Sequence, residues 1–364
     1  MNVGHERRTR PLLMFSVLVV GCTRLPVQAG SDGEWITLAP LNIARQETGA
    51  ARIGDYVYVV GGLLAASPLQ ATDTVEVYDI AADAWSFVAS LPEPRDHMAI
   101  AEVDGILYVI GGYAGDFIRR SEAWAYDPVL DEWFAKAPLP SARGACWAVA
   151  HGGRVYVFGG VGPGGIQRTT FIYDPIGDSW SMGADMPTIR EHLTAAVVDD
   201  FIYVIGGRAS GMSTNANHRY DPINNQWQVM TPMPTARSAS ATASFQGRIH
   251  VAGGEVPQLF AVHEVYDVST NTWSTAEPMP IPRHGVAAAT LDDRILLPGG
   301  GTIQGLDPTD AVDSYVPAIA SVPAMSEWGV MIVALVLACV GCILAMTRGG
   351  RSVALGHIAD HRSI

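Results

Sequence analysis

The hydrophobic pattern falls into short runs separated by turn residues, with no long helical stripe before the last forty residues. Residues 98–103 (Met-Ala-Ile-Ala-Glu-Val) form a small-residue apolar run. Asp104-Gly105 follows, then the β-branched and aromatic run 106–110 (Ile-Leu-Tyr-Val-Ile). Five-residue runs of this kind, flanked by Gly and Asp, read as strands. The dipeptides Asp104-Gly105, Gly152-Gly153 and Gln246-Gly247 read as tight hairpin turns. A third run ends in Tyr-Asp, at Tyr78, Tyr126, Tyr173, Tyr220 and Tyr266, and a fourth carries a tryptophan six residues past the Asp.

This unit repeats six times. Its markers are Arg45, Arg95, Arg143, Arg190, Arg237 and Arg283, 46 to 50 residues apart. Sixteen residues after each arginine begins a glycine doublet, from Gly61-Gly62 to Gly299-Gly300, and ten residues before each stands Trp35, Trp85, Trp133, Trp180, Trp227 or Trp273. A fixed period of this length means an array of one supersecondary unit. One four-stranded sheet cannot bury both faces, but six arranged radially close into a ring with short, protected edges. The last unit lacks a following Trp, while Trp35 stands before the first arginine. The N-terminal segment is therefore expected to supply the missing strand and latch the ring.

The doublets, the Tyr-Asp and the spaced Trp resemble the kelch repeats. The resemblance runs from residue 35 to about 315 and implies an all-β, six-bladed kelch-type β-propeller over 31–317, closed by an N-terminal strand.

The ends predict export. Arg7, Arg8 and Arg10 precede an apolar run, residues 12–20, too short to span a membrane, so 1–29 reads as a signal peptide. Two cleavage readings fit: Val27-Gln28-Ala29 suits ordinary signal peptidase, and Val19-Val20-Gly21-Cys22 resembles a lipobox with cleavage before Cys22. Residues 329–346 are uninterrupted apolar or small residues, about 27 Å as a helix and near the thickness of a bilayer. This transmembrane helix is followed by Arg348 and Arg351, which assigns the C-terminus to the cytoplasm and the propeller to the outside. Its flank, Val322 to Gly329, resembles the IPTL-type C-terminal sorting signal of Gram-negative bacteria, spanning 322–351. Pro323, Ser326, Glu327, Trp328 and Gly329 match that pattern, whereas Val322, Ala324 and Met325 depart from it. The resemblance implies an exosortase-like sorting enzyme as partner; a plain membrane anchor is the alternative.

Composition narrows function. A net charge of −13 without a basic run argues against nucleic acid. Of four cysteines, only Cys146 falls in the propeller, so this is no disulfide scaffold, and Cys146 reads as a small buried hydrophobe.

What repeats serves the blade; what breaks the repeat is where a ligand can be read. All length variation falls between Gly-Gly and Tyr-Asp, in loops expected on the same face as the arginines. The two residues after each arginine vary there, giving Glu47, Asp96, His97, Glu191, His192 and His284, while Tyr113, Arg208 and Glu255 stand just past the doublets. Resemblance to kelch propellers with a recognition role makes Glu47, Asp96, His97, Glu191, His192, His284, Arg208 and Glu255 the candidate ligand-binding residues. No cofactor and no metal is assigned: local spacing such as HExxH is missing, and blades around a ring are expected to hold the histidines apart, bonded to loop backbone. The repeated arginines are expected to pair with the repeated Asp or stack on the Trp, with an anion-binding ring as the alternative.

The expected function is an exported, envelope-displayed module binding a protein or glycan, with no catalytic residues assigned. The alternative is a sugar isomerase or mutarotase, resembling the six-bladed periplasmic kelch mutarotase acting on sialic acid, with Glu47, His97 or His192 as acid–base groups. A carboxylate and a histidine converging in a deep polar channel favours the enzyme. A broad face bearing Phe117, Leu259 and Phe260 favours a partner surface.

Overall fold

The computed structural model describes residues 33–65 and 68–318. They form six four-stranded antiparallel sheets and three two-stranded ribbons, with no helix among the described residues. The innermost strands of neighbouring sheets lie against one another in sequence order, and that of blade six, Ala289–Thr290, lies against that of blade one, Gly49–Ile53. The result is the all-β six-bladed propeller. Signal peptide 1–29, transmembrane helix 329–346 and sorting segment 322–351 lie outside the described residues.

Each blade follows its sequence. In blade two, Ala99–Val103 alternates buried and half-buried positions, because one face packs in the sheet stack and the other faces the channel. Its small residues, Ala99 and Ala101, pack into the core shared with blade three, whereas Ile100 borders the channel. The second strand, Ile106–Ile110, is buried on both faces from Leu107 onward, which explains its unbroken apolar run. The turn between them has positive φ at both residues, 52° at Asp104 and 80° at Gly105, the type I′ geometry that the hairpin twist requires. The N-terminal strand Glu34–Thr37 pairs antiparallel with Val312–Val316, Trp35 opposite Tyr315, and completes the sixth blade.

The repeated residues join blade to blade. The first glycine of each doublet, as at Gly61 (φ 58°), sits where an added Cβ would lie 2.3 Å from the carbonyl oxygen of the next arginine, Arg95. The second glycine donates its N–H to that same carbonyl, as Gly62 does to Arg95 at 2.7 Å. Each repeated Trp donates Nε1–H to a carbonyl in the link leaving the preceding blade: Trp85 to Ala39 at 2.9 Å, Trp180 to Ala137 at 2.8 Å, and Trp35 to Glu277 at 2.8 Å.

The arginines do not pair with the repeated Asp or stack on the repeated Trp, contrary to expectation. The Asp caps the turn between third and fourth strands, as Asp79 does by accepting from Ala81 and Ala82 N–H at 2.9 and 3.0 Å. The arginine, buried in every blade, turns instead to the residue two before the repeated Tyr. That residue is acidic in three blades: Arg45 pairs with Glu76, Arg237 with Glu264, and Arg283 with Asp313 at 2.6 Å. In two blades it is aromatic, and Arg95 and Arg143 lie 4.5 and 5.1 Å over the rings of Trp124 and Phe171. In blade four it is His218, whose Nδ1 lies 3.0 Å from Arg190. Burial and the Arg190 charge push His218 down to about 4, so it stays neutral and accepts the guanidinium hydrogen bond.

Candidate functional site

At the axis, the second residue after each arginine takes the left-handed conformation: Glu47 (φ 53°), His97 (50°), Ala145 (53°), His192 (49°), Ala239 (51°) and Gly285 (55°). Each donates its N–H to the carbonyl of its counterpart in the preceding blade. The bonds run His97 to Glu47, Ala145 to His97, His192 to Ala145, Ala239 to His192, Gly285 to Ala239 and Glu47 to Gly285, at 2.7 to 3.0 Å. This closed girdle of six backbone hydrogen bonds holds the blades far closer at this end than the sequence suggested. Non-glycine residues rarely adopt such φ values, and their cost is offset by a backbone bond at every step.

The girdle brings the candidate side chains together. His97 and His192 lie with ring centroids 5.0 Å apart, although their blades are not adjacent. Glu47 Oε2 lies 3.5 Å from His97 Nε2, and Glu47 Oε1 lies 3.8 Å from His284 Nε2. His284 Nε2 is also 3.6 Å from Glu255. Arg208 donates from Nε to Glu191 at 2.7 Å and from Nη1 to Glu255 at 2.8 Å, and its Nη2 lies 3.3 Å from His192 Nε2. Asp96 accepts from His97 Nδ1 at 2.5 Å and from Gly115 N–H at 2.7 Å, and Glu191 pairs with His192 Nδ1. All eight sequence candidates thus form one connected cluster. The ring nitrogens of His97 and His192 face carboxylates and a guanidinium, not loop backbone, and the expectation that ring geometry separates the histidines is corrected.

The register that places them is local. The residue after each arginine bridges to the residue after the doublet, Asp96 to Tyr113, Glu191 to Arg208 and Ser238 to Glu255. Variation at these two positions in one blade therefore lands at one place on the axis.

The electrostatics are unusual for a buried site. Four carboxylates (Glu47, Asp96, Glu191, Glu255) face one permanent cation, Arg208, and three imidazoles. Burial alone would raise Glu47, but His97, His192, His284 and Arg208 together bring it below the usual carboxylate range. Burial opposes the charge on His97, yet Glu47, Asp96 and Glu191 raise it above its ordinary value. Glu191, despite burial, is held down at about 2 by His192 and Arg208. Perturbed groups gathered in a concavity mark candidate functional sites.

On the channel side of the girdle lies a small cavity lined by Glu47, His97, Cys146, Trp147, His192 and Ser240 among others. Its volume is about 40 Å³, room for a few water molecules. Trp147 also borders the wider channel space of about 200 Å³ with Ala50, Ile100, Ala195 and Thr242. It therefore partitions the channel and forms one wall of the polar cavity. Sequence reasoning missed Trp147. The signal was available: its counterparts four residues after the other arginines are Gly49, Ala99, Thr194, Ala241 and Ala287, all small. Cys146 is buried beside it, and burial pushes its thiol up to about 12, which leaves it a poor nucleophile. Outside the cluster, Phe117 is 62% exposed, and Leu259 and Phe260 are half-buried.

A ring of four-stranded sheets with repeated Arg, Gly-Gly, Tyr and Trp at the blade seams is a kelch-type propeller. The sequence matches the KLHDC2/KLHL20/DRC7 Kelch-repeats domain over residues 47–254 and 179–300, and the chain belongs to the kelch-repeat family. Similar proteins include Kelch-like protein terF of Aspergillus terreus, 35% identical over 104 residues, which are 26% of this chain and 23% of that protein. Kelch repeat-containing protein kel-10 of Caenorhabditis elegans is 36% identical over 28% of this chain and 18% of its own length. Human Kelch-like protein 13 is 40% identical over 22% of this chain and 12% of its own. The chain thus spans less than a quarter of each of these relatives. Among solved structures, one titled "Structure of YjhT" superposes with a TM-score of 0.68 at 18% identity, covering 78% of this chain and 98% of that one, a likeness of fold. The kelch propeller is typically a protein-interaction module.

Proposed function

We propose that this protein is an exported, envelope-displayed kelch propeller that binds a protein or glycan partner on its arginine-bearing face, with the axis cluster as the recognition centre. The observation that carries this reading is the convergence of eight unrepeated polar side chains, Glu47 to Glu255, at one buried point. None is needed to build a blade: at the two positions after the arginine other blades place Gly, Ala or Ser, and where Arg208 and Glu255 stand the others place Leu63, Tyr113, Val161 and Gly301. Burying charge is costly, and proteins retain it where it serves recognition or chemistry. A cluster of converging charged and polar groups suits a ligand that presents a small polar or charged group. Full-length protein is to be screened on glycan and peptide arrays beside Glu47→Ala/His97→Ala. Alanine occupies the same girdle position at Ala145 and Ala239, so that variant is expected to fold. Wild type binds a defined ligand and the variant loses at least tenfold; equal binding by both abandons the axis as recognition centre.

One observation favours the second reading, a sugar isomerase or mutarotase: a carboxylate, Glu47, lies 3.5 Å from the imidazole of His97. Such a pair could move a proton on and off a ring oxygen. Anomer exchange of sugars followed by NMR separates the readings. Acceleration lost in Glu47→Gln makes the protein an enzyme; rates equal to buffer leave it a binding module.

The placement in the envelope rests on the sequence of both ends. Pro323 and Trp328 would be recognised by the sorting enzyme and the apolar run would serve as membrane address. In a host carrying that enzyme, wild type loses a tail of about thirty residues, some 3–4 kDa at ~110 Da per residue, while Pro323→Ala/Trp328→Ala stays intact and membrane-bound. A mature wild type retaining Arg348 and Arg351 makes the tail an ordinary anchor.

A further inference from the structure

We propose that the axis cluster is a binding site for one divalent transition-metal ion of the zinc class, held by Glu47, His97 and His192. One ligand atom of each of these three residues lies within 4.8 Å of the others. A carboxylate and two imidazoles are a donor set suited to zinc, and three protein ligands leave a fourth position open. Donor atoms 2.0–2.1 Å from one tetrahedral ion stand about 3.4 Å apart. Glu47 Oε2 and His97 Nε2, at 3.5 Å, already meet that spacing. With all three donors within 4.8 Å, His192 has to approach by at most about 1.4 Å, within the reach of χ adjustments on a fixed backbone.

The surroundings match as well as the donors. Metal-bound histidines characteristically donate their other ring N–H to a carboxylate, which fixes the tautomer and aims the free lone pair at the ion. His97 does this from Nδ1 to Asp96 at 2.5 Å, and His192 Nδ1 does so to Glu191. Both rings therefore present Nε2 inward. Asp96 is itself fixed by Gly115 N–H, and Glu191 by Arg208 Nε. The guanidinium of Arg208, 3.3 Å from His192 Nε2, is the group a bound ion would displace from that lone pair. It keeps Glu191 and Glu255 as partners after that displacement. The adjoining cavity has room for water or a partner's donor atom at the open position. The three ligands sit on the hydrogen-bonded girdle, so the backbone is organised before the ion arrives.

The proposal stands on this geometry whether the partner is a protein, a glycan or a reacting sugar. The test is zinc binding by full-length protein stripped with chelator, followed by calorimetry and by elemental analysis after dialysis. The expected result is one zinc per chain, retained through the dialysis. His97→Ala and His192→Ala each weaken binding at least tenfold, and Asp96→Asn weakens it about tenfold through the lost orienting contact. His151→Ala, at the end of the innermost strand of blade three and outside the cluster, binds as wild type does. Cobalt substitution gives an independent readout, a visible absorption band of tetrahedral intensity that Glu47→Ala abolishes. No stoichiometric zinc in wild type, or equal binding by wild type and the His97→Ala and His192→Ala variants, overturns the proposal.

Discussion

Removing the carboxylate of Asp313 tests whether the repeated arginines are structural. Arg283 and Asp313 are both buried, with Nη2 to Oδ2 at 2.6 Å. Burial lowers the pKa of Arg283 against the pull of Asp313, so the guanidinium depends on its partner to stay charged at low cost. Breaking a buried pair by deleting one member costs about 3–5 kcal/mol. Arg283 Nη1 keeps its bonds to Gly299 and Ala311 carbonyls at 2.9 and 2.8 Å, which places the loss near the lower end. Asp313→Ala also deletes the acceptor of Thr37 Oγ1 at 3.1 Å, a contact to the closing strand worth roughly 0.5–1 kcal/mol. The sum is about 4 kcal/mol. At ~2 °C per kcal/mol for a domain of this size, Tm falls by about 8 °C. Asp293→Ala, which breaks an exposed pair with Arg294, serves as the control and shifts Tm by no more than about 1 °C. Differential scanning calorimetry reads both. An Asp313→Ala protein melting within a degree of wild type refutes the assignment of the repeated arginines to blade construction.

Acid should destabilise the propeller in a defined window. Burial lowers His218 and His250 to about 4 and His263 to about 3, so the folded state holds them neutral while the unfolded chain takes up protons below pH 6.5. Their contribution is complete above pH 6.5 and is lost as pH falls toward 4, by on the order of 3 kcal/mol for His218 alone. A urea midpoint that stays flat from pH 7 to 4.5 contradicts this. Starting the propeller at residue 46 instead of 31 removes Trp35 and the strand paired with Val312–Val316, and should lower stability by far more than the ~0.5 kcal/mol of a surface change; equal melting temperatures mean that the strand does not close the ring. Cys146 should resist thiol reagents in the native state and react after unfolding, as read by peptide mapping; native labelling at that residue contradicts its burial.

The fold was legible because each repeated residue has one job at a fixed offset. The doublet glycines pass against the next blade's carbonyl, the Trp bonds the preceding link, and the turn dipeptides take positive φ. The candidate site was legible for the opposite reason: Glu47, His97, His192 and Arg208 break the repeat. The arginine partners were not, because position 76 is Glu, 124 is Trp and 218 is His. Only their common place on the third strand reveals one role met by ion pairing, ring stacking and hydrogen bonding. The closeness of His97 and His192 was hidden too, since it follows from a backbone girdle that any residue tolerating positive φ can join. Trp147 escaped notice because it falls outside the repeated Trp set.

The most direct measurement of the central claim is 15N NMR of the histidine side chains while a ligand found on the arrays is added. His97, His192 and His284 face the axis, whereas His218, His250 and His263 lie within blades and serve as internal references. The account predicts that binding shifts His97 and His192 and leaves the three blade histidines in place. Saturating binding with His97 and His192 unmoved would place recognition elsewhere on the propeller.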